Sequence, residues 1–160
     1  FLKAGPDKPG CITYDEPEKI AGYIRDIKSR NRWCILIVHG GEEFASMPLP
    51  YVRKMYHQFL DYGADIIISH HSHTVQSYEI LDDKAIFYSL GNFTCDQRDQ
   101  DRMIGALLTC GLTFSPDGTF LGYESAELDG VITHCTWGSK NFALYMLEDY
   151  TEELKGMFPL

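Results

Sequence analysis

The sequence predicts an α/β fold with parallel strands in its first half and antiparallel strands in its second. Two observations predict it. Two apolar runs, over residues 33–38 and 65–69, are each preceded by apolar residues at helical spacing. Such alternation of helix and strand makes neighbouring strands parallel, joined by crossover helices. Beyond residue 74, β-prone runs follow one another across turn sequences, Asp82-Asp83 and Ser115-Pro116-Asp117-Gly118, which favours antiparallel pairing.

Residues 1–14 carry glycine and proline turn signals and read as a connecting loop. Asp15-Glu16-Pro17 then opens a helix, because proline is tolerated in the first turn and acidic groups suit its positive end. Ile20, Ile24 and Ile27 form its apolar stripe, through about Ser29. Residues 33–38 (WCILIV) predict a buried strand that stops at His39-Gly40-Gly41-Glu42-Glu43-Phe44. A loop leads to Pro50 and a second helix, whose apolar face is Val52, Met55, Tyr56, Phe59 and Leu60. Gly63 suits its C-terminal cap. The strand at 65–69 ends in His70, His71 and His73. Further strands are predicted at 75–81, 85–90, 103–114 and 119–128. A C-terminal helix is predicted over 141–155, with Leu144, Leu147 and Tyr150 or Leu154 facing inward. No repeat, low-complexity segment or long linker divides the chain, so residues 1–160 are expected to form a single domain.

Composition excludes several classes. Apolar residues make up 44% and charged residues 23%, ordinary for a globular protein. A net charge of −9 without a basic cluster argues against a nucleic-acid partner. An acidic chain that handles an anion needs local cations, either a metal or a few arginines. No apolar run approaches membrane-spanning length. Five cysteines, Cys11, Cys34, Cys95, Cys110 and Cys135, form no CxxC pair, so neither a disulfide framework nor a thiolate zinc site is expected. Cys34 and Cys110 lie in apolar runs and read as reduced core residues, which favours a reducing compartment. Phe1 is not methionine, and the opening FLKAGPDKPG reads as the interior of a longer polypeptide.

The chemistry concentrates at the strand ends. If the two strands run parallel, His39 and His71/His73 share one edge of the sheet, where ligands bind in open α/β folds. Histidines at i and i+2 in a loop can present nitrogens to one metal ion. The bland alternatives are a solvated loop for the His-x-His pair, a bond to a loop carbonyl for His39, and a simple strand end for His70. His57 on the second helix and His134 in a loop are read as having no such role. Glu42-Glu43 can bind a metal, orient a ligand or act as acid or base, although Glu42 reads first as a solvated loop residue. Asn92, in Ser89-Leu90-Gly91-Asn92-Phe93, reads on spacing alone as a turn residue.

Four blocks in order carry a resemblance: His39-Gly40-Gly41-Glu42-Glu43-Phe44, Pro50, GADIIISHHSHTVQSYEIL (63–81) and IFYSLGNF (86–93). They resemble the CapA-type capsule and poly-gamma-glutamate biosynthesis proteins of the calcineurin-like metallophosphoesterase superfamily. The family pattern reads roughly HWGxEY, GADvVIGHHPHVxQxxE and IxYSLGNF. Here Gly40 stands for a tryptophan, Ser69 for a glycine, Ser72 for a proline and Phe44 for a tyrosine; none of these removes a ligand. The resemblance weakens back to about Gly10 and forward to about Gly111.

The resemblance implies an αββα sandwich with a site for two divalent ions of the manganese, iron or zinc type at one edge. By position, it makes His39, His71 and His73 metal ligands and Glu43 and Asn92 catalytic candidates. The family's first ligands come from aspartate and Asn-His blocks that precede the matched region. Residues 1–38 hold no histidine, so the chain resembles the C-terminal portion of the fold and is expected to be inactive alone. The implied function is that of a metal-dependent hydrolase acting on an anionic capsule polymer or a phosphoester. The alternative is a non-catalytic component that binds the polymer during assembly or export. The resemblance points outside the membrane and the cysteines inside the cell. An exposed sheet edge would favour oligomer formation.

Overall fold

The computed structural model describes residues 3–30, 33–95, 97, 99, 102–135 and 142–151. Helix α1 (Pro17–Arg30) starts at a proline, with Glu18 in its first turn and Lys28 and Arg30 in its last, all matched to the helix dipole. Strand β1 (Ile35–His39) follows, then α2 (Pro50–Asp61) and β2 (Ile66–His70). Helix α2 ends in a Schellman motif. The Gly63 N–H donates to the Leu60 carbonyl at 3.0 Å and the Ala64 N–H to the Phe59 carbonyl at 3.1 Å. Gly63 has φ +113°, which a side chain would strain.

Strands β1 and β2 pair in parallel, with Ile35 opposite Ile66 and His39 opposite His70. Strand β4 (Lys84–Phe87) pairs in parallel with β2, and β3 (Tyr78–Leu81) antiparallel with β4, so the sheet order is β1-β2-β4-β3. A second, antiparallel sheet joins β5 (Ile104–Phe114), β6 (Phe120–Cys135) and β7 (Phe142–Met146) in that order.

The alternation along β2 and β4 builds the layers. Ile67, Ile86 and Tyr88 face α1 and α2, where Ile20, Ile24, Val52, Tyr56 and Phe59 close the core. Ile66, Ala85 and Phe87 face the other way, toward Leu108, Leu112 and Tyr123 of the second sheet. Each fully buried isoleucine or phenylalanine contributes about 1.5–3 kcal/mol. The described residues thus supply helix, sheet and sheet layers of the expected sandwich. Asp65, almost fully buried, closes the start of β2: both its oxygens lie 2.9 Å from Lys28 Nζ, and Oδ2 accepts the Cys34 N–H at 2.5 Å.

Five expectations need correction. Strand β1 is a half-exposed edge rather than a buried strand. Ile37 is 73% exposed: it lies on the side of β1 opposite Leu36 and Val38, and the cluster packed against the second sheet is built from β2 and β4 residues. Strand β3 begins at Tyr78, not at residue 75, and β4 ends at Phe87, not at 90. Between them Val75 meets Leu90 in an isolated bridge. Strand β6 runs on to Cys135, well past residue 128. The predicted C-terminal helix is instead β7 and a short 3-10 turn, Leu147–Asp149; residues 152–160 lie outside the described residues. A five-residue apolar run fits either period. The extended β6 decides it, because its open edge offers backbone groups that β7 pairs, from Val131–Met146 to Cys135–Phe142.

Candidate metal centre

Register brings β1 and β2 to an end together, so their following loops leave the sheet side by side. The Gly40 N–H still donates to the His70 carbonyl at 3.2 Å, and the Phe44 N–H to the Ser72 carbonyl at 2.7 Å. Thr74 Oγ1 and Gln76 Nε2 both donate to the Ala45 carbonyl at 2.7 Å. These bonds staple the two loops. Within them Phe44, His71 and His73 hold positive φ values of 64°, 103° and 58°. Each such non-glycine residue costs on the order of 1–3 kcal/mol, and strain of this kind collects at functional sites.

The strained loops present the histidines to one another. His71 Nδ1 lies 3.1 Å from His39 Nε2, with ring centroids 4.8 Å apart. The His71 and His73 centroids are 6.3 Å apart. It is His71, not His70, that meets His39. His39 is solvent-exposed overall. Even so, the loops around its ring withdraw enough water to lower its pKa, and His71, His70 and His73 lower it further, so the neutral, ligating form is favoured.

Asn92 reaches the centre from the chain beyond β4. Gly91 and Gly105 bridge, and the approach is so close that a Cβ on Gly105 would lie 2.0 Å from the Asn92 carbonyl oxygen. Nearly buried, Asn92 donates through Nδ2 to the Arg102 carbonyl at 2.6 Å and faces His73 Nδ1 with Oδ1 at 2.8 Å. The Arg102 carbonyl fixes the amide's orientation. Oδ1 can only accept, so His73 Nδ1 is the donor and Nε2 is the ring nitrogen left for another partner. Orientation of a ligand histidine through its other nitrogen is the usual outer-shell device of metal sites.

Glu43 stands apart. It is exposed and makes no hydrogen bond or ion pair among the described residues, whereas Glu42 accepts a 2.9 Å bond from Tyr51. His57 bonds Glu79 at 3.0 Å on the α2 surface, and the His134 side chain lies outside the described residues. Cys34 is buried, Cys110 half-buried and Cys11 exposed, all with free thiols.

Two nitrogens bound to one tetrahedral ion at about 2.0–2.1 Å sit about 3.3 Å apart, so the His39–His71 separation fits a shared ion. The bond from His73 Nδ1 to Asn92, which leaves Nε2 unengaged by Asn92, fits as well. Among the described residues, however, no group of three or more His, Cys, Asp or Glu side chains converges closely enough to complete such a site. Arg102 escapes the sequence reading, and Phe44, though it ends the first block, is given no role there. The Phe44 ring stacks on His73 at 5.8 Å, and the Arg102 guanidinium sits 3.7 Å from the Phe44 centroid. No motif signals either contact.

Fold and site define an α/β protein with a histidine cluster at the ends of adjacent parallel strands. The bacterial capsule synthesis protein family PGA_cap matches residues 3–97, and the chain belongs to that family. It is 36% identical over 98 residues to the capsule biosynthesis protein CapA of Bacillus anthracis. It is 35% identical over 94 residues to the PGA biosynthesis protein CapA of Bacillus subtilis strain 168. Each alignment covers 59% of this chain and 24% of the relative. The protein y4sH of Sinorhizobium fredii is 32% identical over 75 residues, 46% of this chain and 16% of its own. The chain therefore spans about a quarter of the length of the CapA relatives it matches.

Proposed function

We propose that the chain contributes one side of a metal-dependent hydrolytic site in a protein of capsule-polymer biosynthesis or processing, with poly-gamma-glutamate or an anionic polysaccharide as substrate. The observation that carries this is the 3.1 Å approach of His39 and His71 beside a His73 whose Nε2 is left unengaged by Asn92. His39, His71 and His73 would hold divalent ions of the manganese, iron or zinc type, two of them in the intact site. A bound ion of this kind supplies Lewis acidity toward the scissile group and an acidified water. The remaining work falls to the protein. Asn92 keeps His73 in one tautomer and orientation. The stapled loops keep the imidazoles from rotating apart. Glu43, exposed on the loop after β1, is free to move a proton to or from a bound substrate.

A second reading is a non-catalytic polymer-binding component, and it is supported by the names of the relatives, which speak of biosynthesis and not of cleavage. The experiment treats poly-gamma-glutamate with the intact protein, with manganese or with a chelator, and follows both polymer length and binding. Metal-dependent shortening that is lost in His71→Ala/His73→Ala supports hydrolysis. Binding with unchanged polymer length in both conditions supports the second reading and rejects the first. Residues 1–160 alone are expected to bind metal weakly and to turn over nothing.

A further inference from the structure

We propose that Arg102 is an oxyanion-binding residue of this site, placed to hold a charged group of the substrate one ring contact away from His73. The inference rests on the reading of the ligand as an anionic polymer and adds the residue that reads its charge.

Arg102 is tied to the histidine cluster twice. Its carbonyl accepts from Asn92, which holds His73, and its guanidinium lies 3.7 Å from the centroid of Phe44, which stacks on His73. The Phe44 backbone is held at φ 64° by its bond to Ser72, so the ring is a fixed platform. A guanidinium over an aromatic ring still has N–H groups to offer a planar or tetrahedral oxyanion.

Its present partner is weak. Among the described residues Arg102 forms one ion pair, at 2.8 Å with Asp99, whose side chain is 58% exposed. By contrast, Arg53 and Lys28 are committed to the well-covered carboxylates Glu79 and Asp65. An exposed pair contributes little, so an incoming oxyanion can take the place of Asp99 at small cost. A chain of net charge −9 repels anions at long range, and a local arginine offsets that where the ligand sits. The anion is a carboxylate or a phosphoryl group, chemistries that share the arginine fork.

The test measures binding to the intact protein by calorimetry, with three probes: a γ-linked glutamate pentamer, its carboxamide analogue, and a short glycerol-phosphate oligomer. Arg102→Gln is expected to weaken binding of an anionic probe about tenfold, the scale of one lost charge-assisted contact. It should leave the carboxamide and the metal content unchanged, because the Asn92 bond uses the Arg102 backbone. Arg102→Lys should fall between wild type and Arg102→Gln, and Asp99→Asn should bind the anion at least as well as wild type. Loss confined to the phosphate oligomer, with no pentamer binding by wild type, keeps Arg102 in this role and rejects the glutamyl polymer. Equal binding by wild type and Arg102→Gln overturns the proposal. So does failure of wild type to bind either anion, equal loss for the carboxamide, or loss of metal in Arg102→Gln.

Discussion

Replacing Asn92 by alanine probes the link between fold and site most directly. The amide makes two short bonds at a nearly buried position, to His73 Nδ1 at 2.8 Å and to the Arg102 carbonyl at 2.6 Å. A typical bond contributes about 1 kcal/mol net, and a buried partner left unpaired costs about 1–3 kcal/mol. Asn92→Ala should therefore destabilise by about 3 kcal/mol, which in a domain of this size lowers Tm by about 6–12 °C. The loss at the site is separate. Without Asn92 the His73 ring can change tautomer and rotate, and removal of an outer-shell partner weakens metal binding about 10–100-fold. Asn92→Asp still accepts the Nδ1 proton but cannot donate to the Arg102 carbonyl, so it should retain metal affinity within a few-fold of wild type while being less stable. Thermal unfolding and competition with a chelator for manganese or zinc read the two effects independently. Full metal affinity in Asn92→Ala would refute the assignment of His73 as a ligand oriented through Asn92, whatever happens to stability.

Asp65→Ala removes a partner of Lys28 and the acceptor of the Cys34 N–H, and should cost about 2–3 kcal/mol in urea unfolding while leaving metal content unchanged. Gly105→Ala drives a methyl into the Asn92 carbonyl oxygen and should cost about 3 kcal/mol or more. Gly40→Ala meets only the Tyr14 ring, at 2.6 Å, and that half-exposed side chain can swing aside for less than about 1 kcal/mol, a contrast that thermal melts of the two variants would reveal. Burial raises the pKa of Glu79, but the Tyr88 hydroxyl, Arg53 and His57 together outweigh it and leave the group below its ordinary value of 4.5. A carboxylate depressed in the folded state stabilises above its unfolded pKa and loses that contribution as pH falls through the folded value. Unfolding midpoints should thus decline below the ordinary carboxylate range, and less steeply in Glu79→Gln.

The parallel half of the fold was legible because its signals are local. Isoleucine spacing marks α1, Pro50 and Gly63 bracket α2, and two apolar runs mark β1 and β2. From their order alone, His39 and His71 belong at one edge, and the structure places them there. The exposure of Ile37 was not legible, because it depends on which strands a sheet built from residues 104–146 packs against. Strand β7 was misread for a similar reason: the open edge that selects its extended form belongs to the far end of β6. At the site, the histidines and Asn92 stand in recognisable blocks. Arg102 does not, since its contacts with Phe44 and Asn92 arise only when the Gly91–Gly105 bridge turns the chain back. The positive φ values of Phe44, His71 and His73 are likewise set by the bonds between two loops and carry no glycine or asparagine to announce them.

If His39, His71 and His73 hold metal as proposed, the metal content of the intact protein depends on them. Manganese, iron and zinc are measured by mass spectrometry in wild type and in His71→Ala/His73→Ala, with unfolding curves to show that both are folded. Stoichiometric metal in wild type and its loss in the double variant is the predicted result. Equal metal content in the two proteins would rule out His71 and His73 as ligands.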